Sequence, residues 1–542
     1  MAGQPPFVFG AAALAGVFTW AAYFHKGEHH LYPLRYARNF IALFILGTAI
    51  LAIVDQVSYS NAALQMATIA ASYLAGIFTS LITWRLFFSP LNKFPGPFMT
   101  RLSSFWMAFH VGNSEAYKLV TKLHEEHGDF VRVGSNDLSI IDPDAVPLIY
   151  SFGTKCTKAI WYDNDYPLAS MHSSRDRQYH DARRRLWSIS FSDKALRGYE
   201  LRVQKYTSSL VRQLCAFSGQ PVDATKWFSF FAYDIMGELA FGKSFGTLDK
   251  GEEHFAISLL GEGMQGLAFL LPTWFFRCLA HTPLAAPYWR FFNYCNKQFE
   301  ERAKNQPDVP DIMSPLIDQF SDKQMPDIEK TRCQGDSRLI IVAGSDTTSA
   351  TLTHAMYHLA LEPQHIDKLR EEINPKIQSD GSINHRDIQD LPHLNGVINE
   401  ALRLHPAVPT ALQRVTPPEG IEVNGTYIPG ETTVWCPQYV LGRSEKVYAE
   451  PNRFLPERWY AKKEMVKKEK AFFPFSTGVY GCIGKPLALM ELRLVIAKLL
   501  MAFDIQFAPG ETGEDLLNKT RDHFTVECGE LHLVFKERSA AA

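Results

Sequence analysis

Residues 1–88 contain only six ionised side chains, Lys26, Glu28, Arg35, Arg38, Asp55 and Arg85, although the 542-residue chain carries 55 Lys+Arg and 57 Asp+Glu. A segment this poor in charge cannot supply the surface of a water-soluble domain. It contains apolar stretches at 5–24, 40–54 and 62–84. A membrane-spanning helix needs about 20 largely apolar residues, so the first and third stretches qualify outright, while the second crosses only by borrowing flanking residues. Residues 1–88 therefore read as a membrane anchor of two or three transmembrane helices. Residues 1–4 hold no basic side chain, unlike the n-region of a cleavable signal. If all three stretches cross, Lys26, Arg35 and Arg38 share a side with Arg85, Lys93 and Arg101, while 1–4 and 55–61 lack Lys and Arg. The positive-inside rule then puts the amino terminus in the lumen and everything after residue 84 in the cytosol.

Three prolines at 90, 95 and 97 make 89–97 a stiff linker. The rest, 98–542, reads as one α-rich domain. A hairpin is expected at 130–141, followed by a short helix that Asp142 caps with Pro143 at its first position. From 175 to 415 the apolar spacing is mainly helical. A second strand cluster follows at 421–435 around the Asn424-Gly425 turn, and a last helix at 485–503 precedes short strands such as 531–535. The apolar run 267–276 is too short to span and reads as core or as a surface dipping into a bilayer. A net charge of −2 gives no cationic field for nucleic acid. The eight cysteines include no CxxC pair, which points away from a disulfide framework or zinc module and toward a reduced compartment.

Chemistry concentrates in three places. FSTGVYGCIG (475–484) precedes a long helix: glycines at 478, 481 and 484 let backbone wrap closely, and Cys482 lies near a helix N-terminus that favours a thiolate. By spacing alone this is either a soft anionic ligand or a small core residue. AGSDTT (343–348) sets an acid and two hydroxyls inside an apolar helix, where Thr hydroxyls bond to i−4 carbonyls and can open a groove. Glu400 and Arg403 are spaced i and i+3 on a helix, a pattern that is uninformative by itself.

In chain order, AGSDTT, Glu400 with Arg403, then Pro456-Glu457-Arg458-Trp459 and last the cysteine loop, these motifs resemble the cytochrome P450 monooxygenases from about Lys93 to the carboxyl end. The resemblance implies a mainly α (α+β) P450 fold, helix-rich with small β-sheets, preceded here by transmembrane helices, and a haem b cofactor. It makes Cys482 the proximal thiolate on iron, with Phe475 and Gly478 in the same cofactor-binding loop. Asp346 and Thr347 match the acid–alcohol pair that delivers protons to bound dioxygen. Glu400, Arg403 and Arg458 match a buried structural triad. His180, Arg184 and Arg414 match residues that hold the haem propionates. One position departs from the family: where arginine or histidine usually stands two residues before the cysteine, this chain has Tyr480, which brings no positive charge and shifts the propionates toward Arg184 and Arg414.

The resemblance further implies oxygen insertion from O2 into a lipophilic small molecule, with electrons from an NADPH-cytochrome P450 reductase, at the endoplasmic reticulum membrane with the catalytic domain cytosolic. The wording around the motifs is similar to fungal microsomal enzymes of secondary metabolism. A haem-thiolate isomerase or dehydratase, or a non-catalytic haem sensor, would share the fold; the intact Asp346–Thr347 pair argues against the first two. Five lysines within 461–470 form either a solvated run or a docking patch for the reductase. Substrate contacts are expected around 161–171, 259–276, the helix before Thr347, 407–410 and 523–526. These positions are greasy and lack a unique polar signature, which keeps terpenoid, alkaloid and polyketide skeletons open.

Overall fold

The computed structural model describes residues 6–538 except 306, 308 and 321–323; residues 1–5, where the first apolar stretch begins, lie outside the described residues. Three long apolar helices open the chain. Helix α1 (Pro6–Thr19) continues in a wider turn to Phe24, α2 covers Pro33–Val54, and α3 (Tyr59–Thr83) continues to Phe88. All three are long and apolar enough to cross a membrane. The second reaches that length by taking in 33–39, including Arg35 and Arg38. The α1–α3 crossing is close because its residues are small: a Cβ on Gly16 would strike the Tyr73 carbonyl, and one on Gly76 the Ala13 carbonyl.

The linker docks onto the body, burying Leu91 and Phe94 with Leu138 and Ile140. A five-stranded sheet follows, built from β1 (Phe130–Gly134), β2 (Asp137–Ile140), β3 (Thr157–Lys158), β4 (Arg414–Val415) and β5 (Thr433–Trp435), in the order β1-β2-β5-β4-β3. Only the β2–β5 pairing is parallel. The short helix expected at Asp142-Pro143 starts later, at Ala145, because the Asp142 carboxylate accepts the Asp144 N–H and holds a turn there.

Helices dominate from 177 to 404. Those that shape the site are α4 (Arg177–Ser190), α5 (Ala224–Phe241), α6 (Phe255–Ala268), α7 (Thr273–Leu279), the 35-residue α8 (Asp327–Leu361) and α9 (Pro392–Leu404). After the second strand cluster, α10 (Lys485–Ala502) packs on α8 and α9. Helix α8 lies through the body with apolar residues on every side, as a helix buried all round requires. Its AGSDTT segment stays helical without a break. The apolar run 267–276 divides: Thr273 and Phe276 point inward, whereas Phe269 and Trp274 are 44% and 45% exposed, and α7 abuts the apolar helix α2.

Candidate active site

The cysteine loop closes on itself before α10. The Cys482 N–H donates to the Phe475 carbonyl at 2.7 Å and the Gly481 N–H to the Gly478 carbonyl at 3.1 Å. Gly478 has φ +68° and presses on the backbone of Tyr150 and Ser151, so a side chain would be both strained and obstructed. Phe475 and Cys482 line a cavity of about 360 Å³. Cys482 is exposed toward this cavity and deep within the fold. Desolvation pushes the Cys482 thiol up, against the Gly484 and Lys485 N–H groups and the Arg184 cation, which favour the thiolate.

Three cations converge beside the loop. Lys158 on β3 and Arg414 on β4 are direct cross-strand partners, both nearly fully buried. Like charges in register destabilise a sheet, and neither makes an ion pair with a carboxylate among the described residues. Lys158 donates to the Met171 and His172 carbonyls at 3.2 and 2.5 Å. Arg414 donates to the Tyr162 hydroxyl at 2.9 Å, and its buried Nε has no partner. Arg184 on α4 donates to the Gly481 carbonyl at 2.7 Å. Burial, with Arg414 and Arg184 nearby, pushes the Lys158 ammonium well down. All three line the cavity.

Tyr480 sits among them, its ring 4.7 Å from Lys158 Nζ and 5.0 Å from Arg414 Cζ, with His180 edge-on at 4.8 Å. His180 Nδ1 lies 2.9 Å from Asp181, and desolvation brings its imidazole down to about 4, so it is neutral at physiological pH. An anion-binding pocket beside a cavity-facing cysteine fits an iron macrocycle carrying two carboxylates. Sequence reasoning missed Lys158; its signal was a lone lysine in the short strand that pairs with Arg414.

On α8 the acid–alcohol pair faces two ways. The Thr347 hydroxyl donates to the Ala343 carbonyl at 2.7 Å, the expected i−4 bond, and Thr347 lines the cavity. The Asp346 carboxylate instead accepts hydrogen bonds from Tyr233 on α5 and from Thr525, both at 3.1 Å. Desolvation raises it to about 6, against those two hydrogen bonds. Next to Thr347, the Thr348 hydroxyl donates to Glu491 on α10 at 3.0 Å. Glu491 is buried, lines the cavity, and is pushed by desolvation to about 8. It too escaped the sequence reading, although it is the sole acid of α10.

Glu400, Arg403 and Arg458 meet in the interior with fully buried side chains. Arg403 binds the carboxylate through two nitrogens at 2.8 and 2.6 Å, and Arg458 through one at 2.9 Å. The Trp459 indole N–H and the Leu455 amide donate to the same carboxylate, each at 2.9 Å. The guanidinium groups also donate to carbonyls at 442, 449, 451 and 453. The cluster thus pins the irregular chain that leads toward the cysteine loop.

All five segments expected to meet substrate contribute to the cavity wall, through Trp161, Met264, Leu339, Ala407 and Phe524 among others. Trp161 and Phe524 stack at 4.9 Å. The five lysines of 461–470 are all exposed; Lys468 pairs with Asp144 at 2.9 Å and Lys467 donates to the Glu445 carbonyl.

Comparison with known proteins agrees with this arrangement. The family Cytochrome P450 matches residues 95–531. The chain is 42% identical to tryprostatin B 6-hydroxylase of Aspergillus fumigatus over 97% of its own length and 96% of that protein. It is 41% identical to the cytochrome P450 monooxygenase notG' of Aspergillus versicolor, covering 97% of each chain, and 39% identical to the cytochrome P450 monooxygenase lcsK of Purpureocillium lilacinum, over 97% and 98%. A crystal structure of the cytochrome P450DA heme domain superposes with a TM-score of 0.67 at 18% identity, covering 80% of this chain and 95% of that one, and shares the fold.

Proposed function

This chain belongs to the cytochrome P450 family and is a monooxygenase, and from that premise we propose a membrane-anchored enzyme that hydroxylates a lipophilic secondary metabolite with NADPH-derived electrons. The overall reaction uses O2, two electrons and two protons; one oxygen atom enters a C–H bond of the substrate and the other leaves as water. A bound haem b supplies the iron at which dioxygen is reduced and split.

The chain's own residues supply the surroundings. Cys482 would hold the haem iron through its deprotonated sulfur. Lys158, Arg184 and Arg414, gathered around the Tyr480 ring, would hold the haem carboxylates. Thr347 keeps a hydroxyl in the cavity, fixed by the Ala343 carbonyl. Asp346, raised to about 6, exchanges protons near neutral pH. The apolar wall excludes water and selects a lipophilic substrate. Hydroxylation is the expected outcome, in keeping with the name of the 42% identical relative.

For the anchor, the three apolar helices support three spans, and the loop at 25–32, with Lys26, lies on the same side as the body, in contact with it. By the positive-inside rule that side is cytosolic, which gives an endoplasmic reticulum enzyme served by the cytosol-facing NADPH-cytochrome P450 reductase. The exposed lysines of 461–470 present the charge that an acidic flavoprotein would meet.

The observation that carries this reading is a cavity-facing cysteine beside three basic side chains, Lys158, Arg184 and Arg414, that form no ion pair among the described residues. The test is the full-length protein in phospholipid nanodiscs, reduced and exposed to carbon monoxide. Wild type should give the thiolate-type difference spectrum and Cys482→Ser should lose it. With reductase and extract of the native host, a product should form only when NADPH is present; product without NADPH would instead indicate an isomerase or dehydratase.

A further inference from the structure

The turn Ile160–Asp163 and the residues after it form one wall of the cavity, and they alternate in direction. Trp161, Tyr162, Asn164 and Asp165 line the cavity. Asp163, buried among them, is turned the other way, and what it meets there belongs to the anchor. His30, in the loop between α1 and α2, lies 2.8 Å from the Asp163 carboxylate through Nε2 and is 5% exposed. Arg175 bridges the two regions: it donates to both Glu28 oxygens at 2.6 and 2.8 Å, to Asp163 at 2.6 Å, and to the Lys158 carbonyl at 3.1 Å. A second grip comes from Arg277 on α7, the helix abutting α2, which donates to the Asp163 and Tyr166 carbonyls at 2.9 and 2.7 Å.

A passive tether requires only covalent continuity through 89–97. It does not require a buried histidine and a bidentate carboxylate–guanidinium pair joining positions 133 and 147 residues apart. Burying charged groups costs free energy unless they are matched; here buried His30 meets Asp163 through Nε2, and the partly buried Arg175 meets Asp163 and the more exposed Glu28, all across the junction between the anchor and the cavity wall. We propose that the α1–α2 loop is a strap on the cavity: Glu28 and His30 are positioning residues that hold the turn Ile160–Asp163 against the cavity, so that the anchor sets the shape of the wall a ligand must pass. The consequence for substrate rests on the function proposed above; the strap itself does not.

The experiment compares wild type with His30→Ala, Glu28→Gln and Asp163→Asn, and with the double variant His30→Ala/Asp163→Asn, all full-length in nanodiscs. Hydrogen exchange is read at 160–166 and, as an internal reference, at α8 and α10. Release of the strap should speed exchange at 160–166 by about tenfold while α8 and α10 keep wild-type protection. The double variant should be no faster than the more affected single one, because both changes break the same contact. A second readout titrates 4-phenylimidazole against imidazole by their absorbance shifts on the bound haem; loss of the strap should change the Kd of the bulky probe about fivefold and leave that of the small one unchanged. Exchange at 160–166 equal to wild type in both His30→Ala and Glu28→Gln overturns the proposal, as does faster exchange spread evenly over α8 and α10. Because exchange needs no haem ligand, it decides the strap separately from the carbon monoxide spectrum that decides Cys482.

Discussion

The Tyr233 hydroxyl donates to the Asp346 carboxylate at 3.1 Å, whereas the neighbouring Thr347 lines the cavity. Two adjacent residues of one helix point about 100° apart, so the acid and the alcohol serve different surroundings. Asp346 is held between Tyr233 and the cavity-lining Thr525, and Thr347 is the member of the pair that itself lines the cavity.

The Asp346 carboxyl titrates at about 6 in the folded protein, against 3.8 for an unperturbed one. A raised carboxyl keeps its proton longer in the folded state, so its contribution favours folding at low pH and is lost as pH rises through about 6. Asp346→Asn should therefore match wild type in thermal stability near pH 4 and exceed it by about 1 to 2 kcal/mol above pH 6, once partial exposure is allowed for. Tyr233→Phe removes a hydrogen bond that lowers this pKa, so it should move the transition above pH 6. Melting curves from pH 4 to 8 read both; a pH-independent gap would mean that Asp346 titrates normally.

Thr347→Ala should leave the carbon monoxide spectrum and reduction by NADPH as in wild type, since its hydroxyl binds only the Ala343 carbonyl. Proton delivery should suffer. Positioned proton transfer is worth about 10²- to 10⁴-fold, so product per NADPH should fall steeply and hydrogen peroxide should rise in its place. Unchanged coupling would reduce Thr347 to a helix residue.

Removing one member of the Glu400 cluster strands buried charge. Glu400→Gln leaves two guanidinium groups without a counter-ion in a fully buried site, at a cost of about 3 to 5 kcal/mol. Arg458→Met leaves the Arg403 pair intact and should cost less. The order of holoprotein yield and melting temperature, wild type above Arg458→Met above Glu400→Gln, checks this; equal losses would show that Arg458 carries as much of the site as the carboxylate does.

Much of this was legible in the sequence because it rests on local pattern. The three apolar helices follow from charge depletion, the cysteine loop from three glycines before a helix, and Glu400 with Arg403 from one helical turn. What escaped depends on long-range pairing. Lys158 gains meaning only when β3 meets β4, 256 residues apart at the Lys158–Arg414 pair, and Glu491 only when α10 meets Thr348 of α8. The direction of Asp346 was hidden as well, since a side chain's facing is set by the partner helix, here α5, and not by its neighbours in sequence.

The Lys158–Arg414 pair leads to a prediction in which two stabilities move in opposite directions. In the protein without haem, two buried basic side chains face each other in register, burial and Arg414 pushing the Lys158 ammonium well down, and no carboxylate answers them among the described residues. Lys158→Met removes one of them and keeps a long apolar stem, so the haem-free form should melt higher than wild type. With haem bound, the same ammonium would donate a charge-assisted hydrogen bond to a haem carboxylate, a contact worth about 1.5 to 3 kcal/mol. Its loss should speed haem transfer to apomyoglobin by about 10- to 100-fold. Tyr480→Arg in the Lys158→Met background returns a cation beside Arg414 and should restore most of the retention. If haem leaves Lys158→Met no faster than wild type, then Lys158 serves only the Met171 and His172 carbonyls, and haem retention on this side falls to Arg184 and Arg414 alone.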